Sequence, residues 1–209
     1  QQGNPYFKPQ YTWNFGLSHV YKEKITTSLT YNLTKDYISQ IFLSDSTGMV
    51  VYTEGNVGQL QNLGLSVGVQ LPITKWWSIS GQVSLNHKII EGTLWKDYKA
   101  NITQANFNLN NQFRFKKGWG AELSGFYITK NQNDLQEVLD QTGQLSTGVS
   151  KQVWKNKGTF RLTYRDIFYT QAMAGWTHFE NTIEYFKLMR DTRVVTLSFT
   201  YRFGKAVKG

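Results

Sequence analysis

The segment "RVVTLSFTYRFGK" near the C-terminus constrains the fold more than any other part of this sequence. Val195, Leu197, Phe199, Tyr201 and Phe203 fall on one side of an extended chain, and Thr196, Ser198, Thr200 and Arg202 fall on the other. Side chains alternate between the faces of a strand, so this is a period-2 segment of about ten residues. One face is apolar and ends in an aromatic, and the other is rich in hydroxyls. A strand tilted across a bilayer needs about nine to eleven residues, whereas strands of soluble domains average about five or six. The same alternation recurs along the chain. It predicts an all-β protein, an antiparallel up-and-down transmembrane β-barrel, in preference to a soluble sandwich or lipocalin.

Nine strands are expected. The first covers about Tyr11 to Tyr21, with Trp13, Phe15 and Leu17 opposed to Asn14, Gly16 and Ser18. The second runs from about Ile25 to Phe42, and the third ends in Leu63, Leu65, Val67, Val69 and Leu71. The fourth carries Trp77, Ile79, Val83 and Leu85, and the fifth Phe107, Leu109, Phe113 and Phe115 against Asn106, Asn108, Asn110, Gln112 and Arg114. The sixth (about Gly120 to Thr129) and seventh (about Leu145 to Trp154) alternate less cleanly, and Lys151 breaks the apolar face of the seventh. The eighth sets Phe160, Leu162 and Tyr164 against Arg161, Thr163 and Arg165, and the ninth is the C-terminal segment.

The connections alternate in length. "YKEK", "PITKW", "KKGWG" and "WKNKG" read as tight turns, built on residues that favour turn geometry. Longer polar loops are expected near Ser44–Gly55, Glu91–Asn101, Asn131–Gly143 and Thr170–Thr192. Outer-membrane barrels have short periplasmic turns and longer extracellular loops. A ninth strand ending at the periplasm puts all four tight turns on that side. Lys22, Lys24, Lys75, Lys116, Lys117, Lys155, Lys157, Lys205 and Lys208 then share one rim, with Trp76, Trp77, Trp119, Trp154 and Phe203 beside them. Indole rings and snorkelling lysines favour the headgroup level, so these aromatics are expected to be membrane-interface anchors. The net charge of +9 has this location, and no nucleic-acid partner is expected.

Composition removes several function classes. No window holds the roughly 20 consecutive apolar residues of a spanning helix. The sequence has no Cys, hence neither a disulfide framework nor thiolate chemistry. His19, His87 and His178 are scattered without ligand spacing, and no cofactor is expected. Asp134, Glu137 and Asp140 share one loop, which reads as solvated. No G-x-S-x-G elbow or phosphate-binding glycine loop is present, and the chain is not expected to be an enzyme. "NLT" at Asn32 and "NIT" at Asn101 match glycosylation sequons by pattern only. Arg114, Arg161, Arg165 and Arg202 are expected on the lumen face, where they line an anion path, hold a plug, pair with acids or do no more than wet the lumen. Trp176, Phe179, Tyr185 and Phe186 lie in the last long loop, either as a contact surface or in extensions of two strands.

"GNPYFKPQYTWNFGLSHVYKEKITTSLTYNLTKDYISQ", from Gly3, resembles the NP-x-LKPE-Y segment that opens the later barrel strands of Bacteroidota TonB-dependent-receptor-like proteins. "NVGQLQNLGLSVGVQLPITKWWSIS", "GFYIT", "YRDIFYTQ" and "DTRVVTLSFTYRFGK" resemble later segments of that outer-membrane family, in its order. Phe7 stands where Leu is usual and Gln10 where Glu is usual. The resemblance implies that residues 1–209 are a single incomplete domain, the C-terminal part of a barrel of about 22 strands around a plug. No signal peptide is visible at Gln1, so a mature chain or a portion of a longer one is expected.

The resemblance further implies uptake of a bulky nutrient across the bacterial outer membrane. The implied partners are the bilayer and its lipopolysaccharide, the remaining strands and plug, and the TonB system or an outer-membrane lipoprotein. The alternative is a scaffold barrel in a multiprotein outer-membrane complex, without transport.

Overall fold

A computed structural model describes residues 7–44, 50–93, 97–133, 135–179 and 182–203. Its strands, in chain order, are β1 (Tyr11–Tyr21), β2 (Ile25–Ser44), β3 (Val50–Pro72), β4 (Trp77–Thr93), β5 (Asp97–Arg114), β6 (Trp119–Ile128), β7 (Asn131–Gln132), β8 (Glu137–Leu139), β9 (Thr142–Val153), β10 (Gly158–Arg165), β11 (Ala172–Phe179), β12 (Thr182–Met189) and β13 (Val194–Tyr201). Nine of them form one antiparallel sheet in the order β1-β2-β3-β4-β5-β6-β9-β10-β13, and the other four form a second sheet, β12-β11-β8-β7. Every neighbour in the main sheet is the next main-sheet strand in sequence, which is an up-and-down meander. The nine expected strands are these nine.

Register sorts the side chains by chemistry. Leu17, Leu29, Leu65, Leu85 and Ala105 stand in one row across β1 to β5. Ala121, Val149, Leu162 and Leu197 make another across β6 to β13. On the opposite face Ser28, Ser66, Ser84 and Asn106 align, as do Gln70, Ser80, Asn110, Ser124 and Ser146. The apolar face is uncovered: Leu17 and Leu197 are each 72% exposed. A water-soluble monomer rarely shows an apolar patch beyond a few hundred Å², and this one runs the width of nine strands.

Two sets of expectations are corrected. The loops near Ser44–Gly55 and Glu91–Asn101 are largely strand, because β2 reaches Ser44, β3 starts at Val50, β4 reaches Thr93 and β5 starts at Asp97. These strands have 20, 23, 17 and 18 residues, about twice a bilayer crossing, so they project well past it. The segments near Asn131–Gly143 and Thr170–Thr192 are not simple loops, since they contribute the second sheet. Trp176 and Tyr185 sit across its β11-β12 hairpin with ring centroids 4.8 Å apart, rather than in extensions of β10 and β13. The side chain of Phe179 lies outside the description. The sheet is not closed: β1 pairs only with β2 and β13 only with β10 among the described residues.

Candidate functional site

The polar face is the first candidate. Glu122 on β6 and Arg161 on β10 form an ion pair that bridges over β9. Gly148 makes the bridge possible. It is the register partner of Glu122, and a Cβ there would meet Glu122 Oε1 at 2.8 Å. Any larger residue at 148 displaces the carboxylate. Arg165 Nε donates to the carbonyl of Thr192 at 3.2 Å, which ties the end of β10 to the chain entering β13. Arg114 is exposed on the same face, opposite Gly120. Arg202 lies one residue past β13 at the short-turn end, where its N–H donates to the carbonyl of Lys157 at 2.8 Å. The arginines therefore do not converge on one site.

A segment between β7 and β8 folds inward onto this face near the long-loop end. Leu135 packs into an apolar nest with Ile41, Val57 and Ile90, and Ile90 is 1% exposed. Gln136 is also 1% exposed, and its amide behaves like a strand backbone toward β2. Its Oε1 accepts from Phe42 N–H at 2.9 Å and its Nε2 donates to Phe42 C=O at 3.2 Å. Lys88 Nζ reaches Asn131 Oδ1 and the carbonyl of Gln132, each at 3.4 Å. A β-bulge creates the nest. Asp36 takes a positive φ of 51°, and the β2-β3 register shifts between Lys35 and Ile38. A one-residue shift swaps the faces of a strand, so Tyr37 and Ile41 turn to the polar side. Nothing in the period-2 pattern marks this.

At the short-turn end the aromatics lie on the apolar face. Trp76 stacks on Trp77, Phe113 and Phe115 with centroids 6.2–6.4 Å apart. Trp154 folds back over Phe199 and Tyr201, and Tyr201 meets Phe203 at 4.8 Å. Lys151, the break in the seventh strand, is explained here. Its Nζ lies 4.8 Å from the centroid of Trp119 and donates to the carbonyl of Lys117 at 2.6 Å, so the stem crosses apolar surface while the charge reaches the turn. Asn111, unnoticed in the sequence, also lies on the apolar face. It accepts from Trp77 Nε1 at 3.1 Å and is 9% exposed.

Among the described residues no three His, Asp or Glu side chains gather into a metal-binding group. Asp134 lies outside the described residues, Glu137 accepts from Asn133 Nδ2 at 2.7 Å, and Asp140 N–H donates to Ala174 C=O at 2.8 Å. Lys205 and Lys208 also lie outside them.

A model of the outer membrane protein beta-barrel family matches residues 1–201. The chain belongs to the outer membrane protein beta-barrel family. No curated protein and no solved structure matches it. Membership places this barrel protein in the bacterial outer membrane. The exposed apolar face is then the lipid face, and the polar rows face the lumen, because in such barrels lipid-facing and lumen-facing residues alternate.

One buried carboxylate secures the long-loop end of the barrel sheet. Asp166 follows β10, outside the strand, and is fully buried. Its Oδ1 accepts from Thr170 N–H at 2.9 Å and its Oδ2 from Gln171 N–H at 3.2 Å and from the Thr192 hydroxyl. Both feet of the β11-β12 hairpin are thereby held by one side chain. Burial alone would raise the Asp166 carboxyl, but the Thr192 hydroxyl, the two N–H groups and the Thr170 hydroxyl together hold it below the ordinary carboxylate range. The sign follows. A depressed carboxyl contributes stability that is complete above its unfolded value and is lost as pH falls through its lower folded value. Acid, and not base, is expected to loosen the hairpin. The protection factor of the Gln171 amide, the exchange rate of an unfolded peptide at the same pH divided by its own, should be high at neutral pH and fall on acidification, and in Asp166→Asn it should be low at both.

Proposed function

We propose that this sheet is an arc of a larger TonB-dependent-receptor-like barrel of a Bacteroidota outer membrane, importing a bulky nutrient. One observation carries the reading. A continuous polar face nine strands wide is left open at both edges, and a segment folds into it from the long-loop end. Unpaired strand edges cost several kcal/mol per orphan backbone group in lipid, so further strands complete the barrel. Residues 1–209 are then one incomplete domain, joined by the remaining strands and a plug. The sequence resemblance supports a total of about 22 strands. Trp76, Trp77, Trp119, Trp154 and Phe203 anchor the barrel at the lipid headgroups. Arg114, Arg161, Arg165 and Arg202 belong to the lumen and its rim. The TonB system or an outer-membrane lipoprotein, the bilayer and lipopolysaccharide are its partners. It is not an enzyme.

Transport is tested by deleting the gene and growing the strain on a panel of bulky nutrients. Loss of growth on one nutrient class, restored by the wild-type gene and abolished by dissipating the proton-motive force, is expected. Growth unchanged on every nutrient, with a lipoprotein lost from the outer membrane instead, would establish the scaffold role.

In this reading the short turns are periplasmic. The sequence has no Cys, so single cysteines report topology directly. An impermeant maleimide on intact cells should label Glu184→Cys, on the exposed face of β12, and spare Asn156→Cys in the β9-β10 turn. The reverse pattern would invert the topology.

A further inference from the structure

We infer that the short-turn rim is a binding surface for anionic phospholipid headgroups, selecting phosphatidylglycerol and cardiolipin over phosphatidylethanolamine in the adjoining leaflet. The inference rests on the barrel reading above and adds a ligand to its periplasmic rim. The four short turns carry seven exposed lysines, namely Lys22 and Lys24, Lys75, Lys116 and Lys117, and Lys155 and Lys157, against a single acid, Glu23. Among the described residues none of the seven forms an ion pair. The nearest other described acid, Glu122, stands three residues into β6 and is paired with Arg161, while Asp36, Glu91, Asp97, Asp166 and Glu184 lie toward the long-loop end. The sheet is thus polarised along its strands, with unneutralised positive charge at one end.

The shape of the patch identifies the occupant. The turns join strands that stand side by side from β1 to β10, so the lysines spread over about 34 Å of rim at about 4.8 Å per strand. They form a line and not a cluster, which suits a row of lipid headgroups better than one acidic segment. The line also sits at headgroup level. Lys22 Nζ lies 5.1 Å from the centroid of Tyr21, and Trp76, Trp119 and Trp154 flank Lys75, Lys117 and Lys155 on the lipid face. Interfacial rings mark the boundary between hydrocarbon and headgroups, so the adjacent ammonium groups fall among the phosphates. Backbone geometry keeps the lysines at the surface. Lys22, Lys117 and Lys155 adopt positive φ of 50°, 60° and 51°, which keeps these turns tight and leaves their side chains on the surface. Phosphatidylethanolamine carries no net charge, while phosphatidylglycerol and cardiolipin do, and near-surface lysines are attracted to anionic lipid by an amount that salt screens.

The test uses the protein extracted from native outer membranes in mild detergent, with its bound lipids quantified by mass spectrometry against the bulk membrane. Phosphatidylglycerol plus cardiolipin should be enriched roughly fivefold in the wild type, the ratio that one attracted lysine alone supplies. Replacing all seven lysines by glutamine should return the ratio to bulk, and the seven-arginine counterpart should keep the enrichment. Should the seven-glutamine variant fail to assemble, the half-rim variant K116Q/K117Q/K155Q/K157Q should show a reduced enrichment. Bulk composition in the wild type, or an enrichment unchanged in either glutamine variant, would overturn the proposal. So would loss of a co-purifying acidic protein with the lipid ratio intact, or loss of lipid A in place of phospholipid. Fractionation reports separately on the barrel: a chain absent from the outer membrane sinks the barrel reading, whereas an outer-membrane chain with bulk lipid sinks only this one.

Discussion

Leu197→Arg is expected to cost the assembled barrel about 2–4 kcal/mol, the penalty for arginine on the lipid face near the bilayer midplane. Leu197 is central in β13, in register with Leu162 of β10, and 72% exposed on the apolar face. In water an exposed leucine is replaced at little cost. In hydrocarbon the guanidinium must be desolvated, must snorkel along the strand, or must draw water inward. Ser198→Arg, one residue on, projects into the polar lumen beside Arg161, its register partner. There it meets water and a like charge, and the cost should be much smaller. Urea titration of the assembled protein in lipid vesicles reads both. A large loss at 197 and a small one at 198 is expected, and equal losses would remove the membrane from the account.

Much of this architecture was legible in the sequence, and the parts that were not share a physical cause. Nine main-sheet strands and their tight turns follow from alternation, because each strand has lipid on one side and polar lumen on the other along its whole crossing. The signal fades where that asymmetry ends. The upper portions of β2 and β3 stand beyond the bilayer, and the Asp36 bulge swaps their faces. The alternation of β2 is therefore followed only to about Phe42, and "VVYTEG" at the start of β3 reads as loop although it is strand. β7 and β8 have two and three residues, too short for a period to be counted. The Glu122–Arg161 pair is 39 residues apart in sequence and forms across an intervening strand, so it needs the register and the open space at Gly148. Lys151 breaks the alternation because its partners, the Trp119 ring and the Lys117 carbonyl, lie across the β6-β9 register and not in its own strand.

The second large effect concerns closure. β1 presents 11 residues and β13 eight at the free edges of the sheet. Every second backbone N–H and C=O along each edge points away from its single neighbour, toward whatever lies beyond. In water such edges pair with other chains. In lipid they are prohibitively costly, which is why membrane sheets close. The register offers no pairing of β1 with β13. On the reading proposed above, further strands supply the missing hydrogen bonds, and the nine do not stand alone.

That claim is tested most directly by expressing residues 1–209 alone, folding them in detergent, and measuring mass and the shift in gel mobility on heating. Higher oligomers or aggregates, with no compact band that shifts on heating, are predicted. A monodisperse monomer whose mobility changes on heating would show that these strands close by themselves, and would contradict the account.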